Sequence, residues 1–548
     1  MTTTTTTSTR IAGLSIAAGL AATLAGPAAH ADVFQRALGD TDRETAYSIE
    51  QTDDGGYITT GFRDTGTVVS PNEDVLITKH FADGTVEWQR LWAGPGRDIG
   101  YSVQQTFDGG YIVAAESTSS GDPAVETLLI RLDPGGNLVW NNYYFGSFQG
   151  DTIHNVHPGV ALDQGFNGQI YVTGNIFGRP MVLAVGPGGL PIWNATYTDP
   201  LPPSIAARYA FTDIKHDPTN GTLVVSGTTR RMEPTPPFGA LLETQDAFLL
   251  RLDGAGSPLW VWNYDFPFDL DPTDEPGDNV RETGDGVDIS PTGRIILNGR
   301  TDFGAAATTT GTHLVSVDPA GFPTWSREYR YFDPSGIVAN VATAYAAVRF
   351  DTNGDIIQAG TNRSFGGFSN AVEWLTNFGG SPSWFFAYGG GNISSGQSVV
   401  PDANCGYAMA GQLDFTPAAP PFALGETFLV KNDDDGLTGC AEVAWQFGPD
   451  FNAIPKQNGI VPDYVMKILT APNFLTIPNS FDNALCYDPG CGACPCDLNA
   501  DGVLDLTDVS AFIACFTGTL PCGDIAPPFG VWDISDINLF ISCFLGGC

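Results

Sequence analysis

The sequence predicts an all-β fold: a seven-bladed β-propeller of four-stranded antiparallel blades, followed by a small α-helical module at the C-terminus. Three observations predict it. An internal repeat closes seven times on a tryptophan, short runs of alternating polarity recur inside each repeat, and a calcium-loop rhythm precedes an apolar helical face near the chain's end. With 548 residues, 42% apolar and 11% aromatic, the chain has material for several packed units. Its 24 Lys and Arg stand against 61 Asp and Glu, a net charge of −37. Such a surface repels phosphate backbones and anionic membranes, because binders of either need clustered cations to displace counterions, and nucleic acid is excluded as a partner on that ground.

Residues 1–31 read as a secretory signal peptide. A Thr-rich start with one charge, Arg10, leads into the small apolar run from Ile11 to Ala25, and Ala29-His30-Ala31 supplies an A-x-A cleavage site. That run of 15 residues is short for a membrane span, and none like it recurs, so the expectation is no membrane span and a mature chain from Asp32, secreted to the extracellular space or the cell surface. Loss of Arg10 takes the net charge to −38.

Residues 32–448 carry the repeat. One unit reads Ala46-Tyr-Ser-Ile-Glu-Gln-Thr52, Asp54-Gly-Gly-Tyr-Ile-Thr-Thr-Gly61, Asp74-Val-Leu-Ile-Thr-Lys79 and Asp83-Gly-Thr-Val-Glu-Trp88, and the next repeats it through Tyr101, Asp108-Gly-Gly-Tyr111, Leu128 and Trp140. The closing residues Trp88, Trp140, Trp193, Trp260, Trp325, Trp384 and Trp445 are spaced by 52, 53, 67, 65, 59 and 61 residues. Four strand-like runs per unit, parted by Asp-Gly turns that need φ > 0, make a meander, and seven meanders make a propeller; a solenoid, with shorter rungs and no fixed count, is the alternative. The small residues Gly61, Gly174, Gly227, Gly299, Gly360 and Gly411, with Ala115, end the second strands, where crowding between sheets is expected. Phe34-Gln-Arg36 resembles the Trp88-Gln-Arg90 strand, which predicts an outer strand before the first unit as well as Trp445-Gln-Phe447 after the last, so one of the two must pair elsewhere or the ring holds eight partial blades. Cys405 and Cys440 fall in the last unit, where a disulfide would staple the closure seam.

These units resemble secreted bacterial propeller repeats built on a D-G-G-Y turn and a D-x-x-G-x-x-x-W hairpin. The same hairpin, as in Asp253 to Trp260, resembles the tryptophan-docking repeat of quinone-dependent dehydrogenase propellers, whose metal ligands and cofactor disulfide find no counterpart here. The resemblance implies a scaffold and leaves its ligand open. Longer loops, among them the acidic insert with Asp265, Asp269, Asp271, Asp274, Glu275 and Asp278, are where binding would be placed, and His154 with His157 is a candidate ligand pair without a carboxylate partner. No nucleophile elbow, P-loop or dinucleotide fingerprint occurs, so no catalytic residue is named.

Residues 449–493 read as a tail strand and Cys-rich linker, and 494–548 as the second unit. All ten cysteines lie at or after Cys405, eight of them from Cys486 onward, which in an exported chain predicts disulfide bonds; a zinc site at Cys486, Cys491, Cys494 and Cys496 is the alternative. Asp497, Asn499, Asp501, Asp505 and Asp508 stand at positions 1, 3, 5, 9 and 12 of an EF-hand loop, with the Val503 carbonyl at 7 and Gly502 at the turn. A hard cation takes six or more oxygens at this rhythm, so one Ca²⁺ is predicted. Val509, Phe512, Ile513 and Phe516 then mark an apolar helical face that recurs 28 residues on as Ile537, Phe540, Ile541 and Phe544. The second loop keeps Asp524, Asp533 and Asp536 but has Ala526, Pro527 and Pro528 where ligands belong, so a second Ca²⁺ is doubtful on composition. The module, opening Cys494-Pro495 and ending Gly547-Cys548, resembles a dockerin. That resemblance implies docking onto a cohesin-like or cell-surface receptor, with Leu506, Thr507, Ile534 and Ser535 at the contact. Cys494 and Cys548 bracket the module, and a bridge between them would clamp its ends.

Three functions follow as expectations: a non-catalytic propeller binding a glycan or protein, a dockerin-delivered, carbohydrate-active hydrolase or lyase, or an electron-transfer or quinone-dependent propeller. Converging Asp, Glu, His and Arg at one mouth of the channel would favour the enzyme, and a mouth of Ser, Thr and aromatic residues would favour binding.

Overall fold

Asp-Gly turns decide where the strands reverse. Gly55 (φ 81°), Gly109 (φ 79°), Gly354 (φ 86°) and their counterparts occupy the left-handed region that the tight hairpins demand. The computed structural model describes residues 31–438 other than 40–41, 67–71, 121–124, 147–158, 163–167, 177–178, 199–207, 236–239, 266–279, 304–309, 330, 333–337, 364–368, 390–392, 404–405 and 415–424; it also describes strands within 443–491, the helix 506–517 and residue 537.

The described chain is nearly all β, and each repeat folds as a four-stranded antiparallel meander. The first holds Arg43–Gln51, Tyr57–Asp64, Glu73–His80 and Val86–Trp92, and the second Asp98–Gln105, Tyr111–Ser117, Glu126–Leu132 and Leu138–Gly146. Further meanders begin at Gly159–Leu162, Arg208–Asp217, Gly286–Ile289, Val338–Phe350 and Ile393–Pro401. Val280–Glu282 joins two of them, pairing parallel with Ala240–Leu252 and antiparallel with Ile295–Phe303. The last meander takes its fourth strand from the other end of the chain: Ala31–Gly39 lies antiparallel to Glu426–Asn432, with Phe34 opposite Lys431. The N-terminal candidate for the outer strand thus completes the last meander. Gln446–Phe447 pairs with Tyr331–Phe332 and not with the last meander, whose outer place is already filled. Trp445, Cys405 and Cys440 lie outside the described residues.

Neighbouring meanders pack face to face. Ile58, Val75 and Ile77 of the first meet Val103, Val113 and Ile130 of the second, and Phe34, Leu38, Ala408 and Leu429 of the last meet Ile49 and Tyr57 of the first, so the apolar packing runs around a closed circle. The small residues on the second strands answer a contact nearer than the one expected. The inner strand of the first meander bulges between Ala46 and Ser48 opposite Gly61, and a Cβ at Gly61 would run into the Thr45 carbonyl of its own sheet. In the second meander the pair is exchanged: Gly100 sits on the bulged strand and faces Ala115.

The closing tryptophans dock on the following hairpin. Indole N–H groups of Trp140, Trp193, Trp260, Trp325 and Trp384 donate to the carbonyls of Pro187, Gly254, Pro319, Phe378 and Asp434 at 2.8–3.2 Å. Each ring also covers a positive-φ glycine; a Cβ on Gly380 would lie 2.7 Å from Trp325. Phe34 takes the tryptophan's place over Gly84, as expected of an outer strand borrowed from the N-terminus.

A helix spans Leu506–Thr517. On its predicted apolar face Phe512 is buried, with its ring 5.7 Å from Phe516, whereas Ile513 is 55% exposed. No helix among the described residues is long and apolar enough to cross a membrane.

Candidate functional site

Among the described residues the inner strands have one edge without a sheet neighbour, save where Val338 and Ala339 pair with Phe332 and Tyr331, and the N–H groups on that edge need acceptors. The preceding meander supplies them. Val103 N–H donates to Ser48 Oγ at 3.3 Å, Val287 N–H to Asp213 Oδ2 at 3.2 Å, Phe350 N–H to Asp288 Oδ2 at 2.8 Å, and Gln105 N–H to the Glu50 carboxylate. Glu50, Lys215, Asp288 and Arg349 occupy one register level, facing Ile58, Val224, Ile296 and Ile357 on their second strands. Burial pushes the Glu50 carboxyl up to about 7 against the pull of Arg349 and Lys215, lowers the Lys215 ammonium and raises Asp288. Lys215 Nζ sits 3.4 Å from Asp213. Charges therefore converge at this level, yet each carboxylate is used to clip adjacent inner strands together.

Nearer the start of the inner strands, the first two meanders build a different surface. Their entry sequences match, Arg43-Glu-Thr-Ala-Tyr47-Ser48 and Arg97-Asp-Ile-Gly-Tyr101-Ser102. The bulge of each strand lies just before Ser48 and Ser102, and there the half-buried Tyr47 and Tyr101 meet with ring centroids 5.1 Å apart and planes inclined at 31°. Phe62 backs Tyr47 at 6.0 Å, and the Arg43 guanidinium lies 4.8 Å over the Phe62 ring. Arg43 pairs with Glu73 Oε1 at 2.7 Å; Arg97 pairs with the same Glu73 and, at 3.1 Å, with Glu116. The arginines are 43% and 47% exposed and the carboxylates 10% and 8%. Buried acids thus hold two cations in fixed orientation beside an aromatic pair, with outward N–H groups still facing solvent. Burial, and after it the Glu73 charge, raises the Tyr47 phenol, so it stays a neutral donor at any physiological pH.

The sites predicted from sequence stand as follows. Asp497, Asn499, Asp501, Val503, Asp505, Ile534 and Ser535 lie outside the described residues, as do His154, His157 and most of the acidic insert; Leu506, Thr507 and Asp508 form the first turn of the helix. Among the described residues no group of three or more His, Cys, Asp or Glu could hold a metal ion. The Tyr47–Tyr101 cluster was not foreseen. Its signal was present: a tyrosine with an arginine four residues before it occurs in the first two repeats and in no later inner strand.

No protein-family model and no curated protein matches the chain. Among solved structures it is similar to the polysaccharide lyase Uly1 (10% identity, 70% of this chain and 89% of that one, TM-score 0.42). It is similar also to Drosophila Plexin A in complex with Semaphorin 1b (8%, 73% and 87%, TM-score 0.36) and to an endo-1,5-α-L-arabinanase from Thermotoga petrophila (11%, 73% and 100%, TM-score 0.24). At these identities and scores none of them carries an activity or ligand over to this chain.

Proposed function

We propose that the chain is an exported, non-catalytic seven-bladed β-propeller that binds a neutral glycan at the Tyr47–Tyr101 cluster. Its tail, in this reading, is a dockerin-like module that closes around Ca²⁺ through Asp497, Asn499, Asp501, Val503, Asp505 and Asp508 and meets a cohesin-like or cell-surface receptor through Leu506, Thr507, Ile534 and Ser535. One observation carries the binding reading: two half-buried tyrosines between Arg43 and Arg97, with Glu73 and Glu116 fixing the guanidiniums. Tyrosine rings offer an apolar face to the C–H side of a sugar, and oriented N–H and O–H groups suit its hydroxyls. The net charge of −37 argues for a neutral ligand over a uronate polymer, which the surface would repel.

The test is calorimetric titration of the full chain with neutral oligosaccharides picked from a glycan array. Tyr47→Ala and Tyr101→Ala should each weaken binding at least about tenfold, the ~1.4 kcal/mol or more expected of a lost aromatic contact, while Tyr101→Phe keeps most of it. Binding that survives the double alanine variant would remove this reading. The Glu50, Lys215, Asp288 and Arg349 level favours the hydrolase or lyase as second reading, since a carboxyl held near 7 suits proton transfer. Release of reducing ends or unsaturated sugar by the full chain, abolished in Glu50→Gln, would install that reading instead.

A further inference from the structure

The chain beyond the last meander carries a series of short strands, each laid antiparallel on the outer strand of a meander or on its continuation. Val443–Ala444 lies on Pro382–Tyr388, and Gln446–Phe447 on Tyr331–Phe332, which follows the outer strand Pro323–Tyr329. Next, Ile454–Gln457 lies on Pro258–Asp265, Val461–Pro462 on Pro191–Thr198, Met466–Thr470 on Leu138–Gly146 and Leu475–Thr476 on Val86–Trp92. Finally Phe481–Cys491 lies on Ala31–Gly39. The order around the ring is the reverse of the order in which the meanders were laid down, and every outer strand except Pro323–Tyr329 receives one segment directly.

We infer that the perimeter of the ring is a strand-addition surface and that its occupant is this chain's own residues 443–491, wrapped as a strap around the meanders. Three further features fit a strap better than a free linker. From Ile454 on, the gaps between successive paired segments are three or four residues, 458–460, 463–465, 471–474 and 477–480, enough at about 3.3–3.6 Å per residue to step to the next sheet and too few for an excursion. Pro455 and Pro462 sit at paired positions opposite Tyr264 and Tyr197, which a strand tolerates only when one of its edges faces solvent. Lys456 and Lys467, the only cations after Lys431, fall on the paired segments, where they are drawn to an acidic ring and discourage a further strand from adding outside. An open circle of outer edges would be a template for aggregation, and the strap fills it. Ala31–Gly39, which closes the ring, has a partner on both sides, Glu426–Asn432 and Phe481–Cys491. The last segment of the strap is therefore fastened at the seam that Ala31–Gly39 closes.

The experiment is cleavage after folding. A protease site placed after Ala441 in the full chain, so that Cys405 and Cys440 both stay with the ring, is cut, and the products are run on a sizing column with light scattering, alongside amide exchange read by mass spectrometry. The strap fragment should co-elute with the ring as one monomer mass. Displacing it with mild denaturant should speed exchange about tenfold or more in Leu138–Gly146 and Pro258–Asp265 while Asp98–Gln105 is unchanged. Release of the fragment on cutting, with outer-strand exchange unaltered, would overturn the inference. A dimer mass with the same protection would overturn it too, by giving the strap to a second copy. Because the ring has folded before the cut, a misfolded truncation cannot mimic either outcome.

Discussion

Arg251 and Arg131 stand at matching places on third strands and reach back to the turn aspartate of their own meander, Asp217 and Asp108. Lys79 does the same to Asp54 at 2.9 Å and Lys431 to Asp402 at 3.6 Å. An aspartate that opens the turn, two positions earlier than Asp54 and Asp108, also receives a tyrosine from the next meander, Tyr57 on Asp402 and Tyr407 on Asp351 at 3.1 Å. The D-G-G-Y motif therefore links sheets as well as reversing strands. Its glycines were legible in the sequence because a tight turn is a local event, but the charge relay was not, since its partners lie in different strands and different repeats. Burial sets what each link contributes. Arg251 and Asp217 are 4% and 1% exposed, whereas Asp108 is 69% exposed beside Arg131. Arg251→Met should cost about 1.5–3 kcal/mol, the loss of a buried charge-assisted bond to a carboxylate that Thr219 and Asn220 still hold, and Arg131→Met under about 1 kcal/mol; chemical denaturation of both variants reads the difference, and equal losses would refute the burial argument.

Outer strands show the same division between what a repeat announces and what only packing reveals. The tryptophan spacing announced the outer strands that carry Trp88 to Trp384, whereas the outer strand of the last meander carries Phe34 and comes from the other end of the chain. It did not announce that a tyrosine four residues later, Tyr144, Tyr197, Tyr264, Tyr329 or Tyr388, donates its hydroxyl to the positive-φ glycine carbonyl of the next hairpin, at 2.6–2.9 Å. The constant offset was visible; the acceptor, a backbone carbonyl about 50 residues away, was not. Removing one such bond, as in Tyr329→Phe, should cost about 1 kcal/mol without changing the fold, and Tyr388→Phe about the same, since the contact is made by equivalent elements; a neutral result in both melts would make the offset coincidental. For the C-terminal segment the expectation rests on nearby side chains alone, since residues 497–505 lie outside the described residues. At a Ca²⁺ concentration a hundred times the dissociation constant, that unit should gain about 2.7 kcal/mol, seen as a late, chelator-sensitive step in the melt of the full chain. Asp497→Ala should abolish that step, and a melt indifferent to chelator in the unmodified chain would end the calcium assignment.

Closing a ring of sheets sets charged groups where water cannot reach them, and this gives the molecule a pH dependence of definite sign. Burial is the leading cause in each case: Glu50 and Asp74 are pushed up to about 7, Asp98 to about 6 and Glu373 to about 8. Their ordinary values are 4.5 for Glu and 3.8 for Asp, so between these and the raised values the folded chain keeps protons the unfolded chain has lost. Stability from this source is complete below about pH 4 and drains as pH rises through 6 to 8. His80 and His313 oppose it, held by burial near 3 against an ordinary 6.5, so their contribution is complete above 6.5 and drains toward acid. Four carboxyls outweigh two imidazoles, and the self-repulsion of a chain carrying −37 eases in the same direction. The melting temperature should therefore be higher at pH 5.5 than at pH 8. Glu373, set between Asn432 and Lys431 in the seam of the last two meanders, is pushed up to about 8, and Glu373→Gln should flatten the slope by gaining on the unmodified chain only as pH rises. A melting temperature that climbs from pH 5.5 to 8, or a variant whose curve stays parallel to its parent, would show that these carboxyls are hydrated or paired in the folded ring.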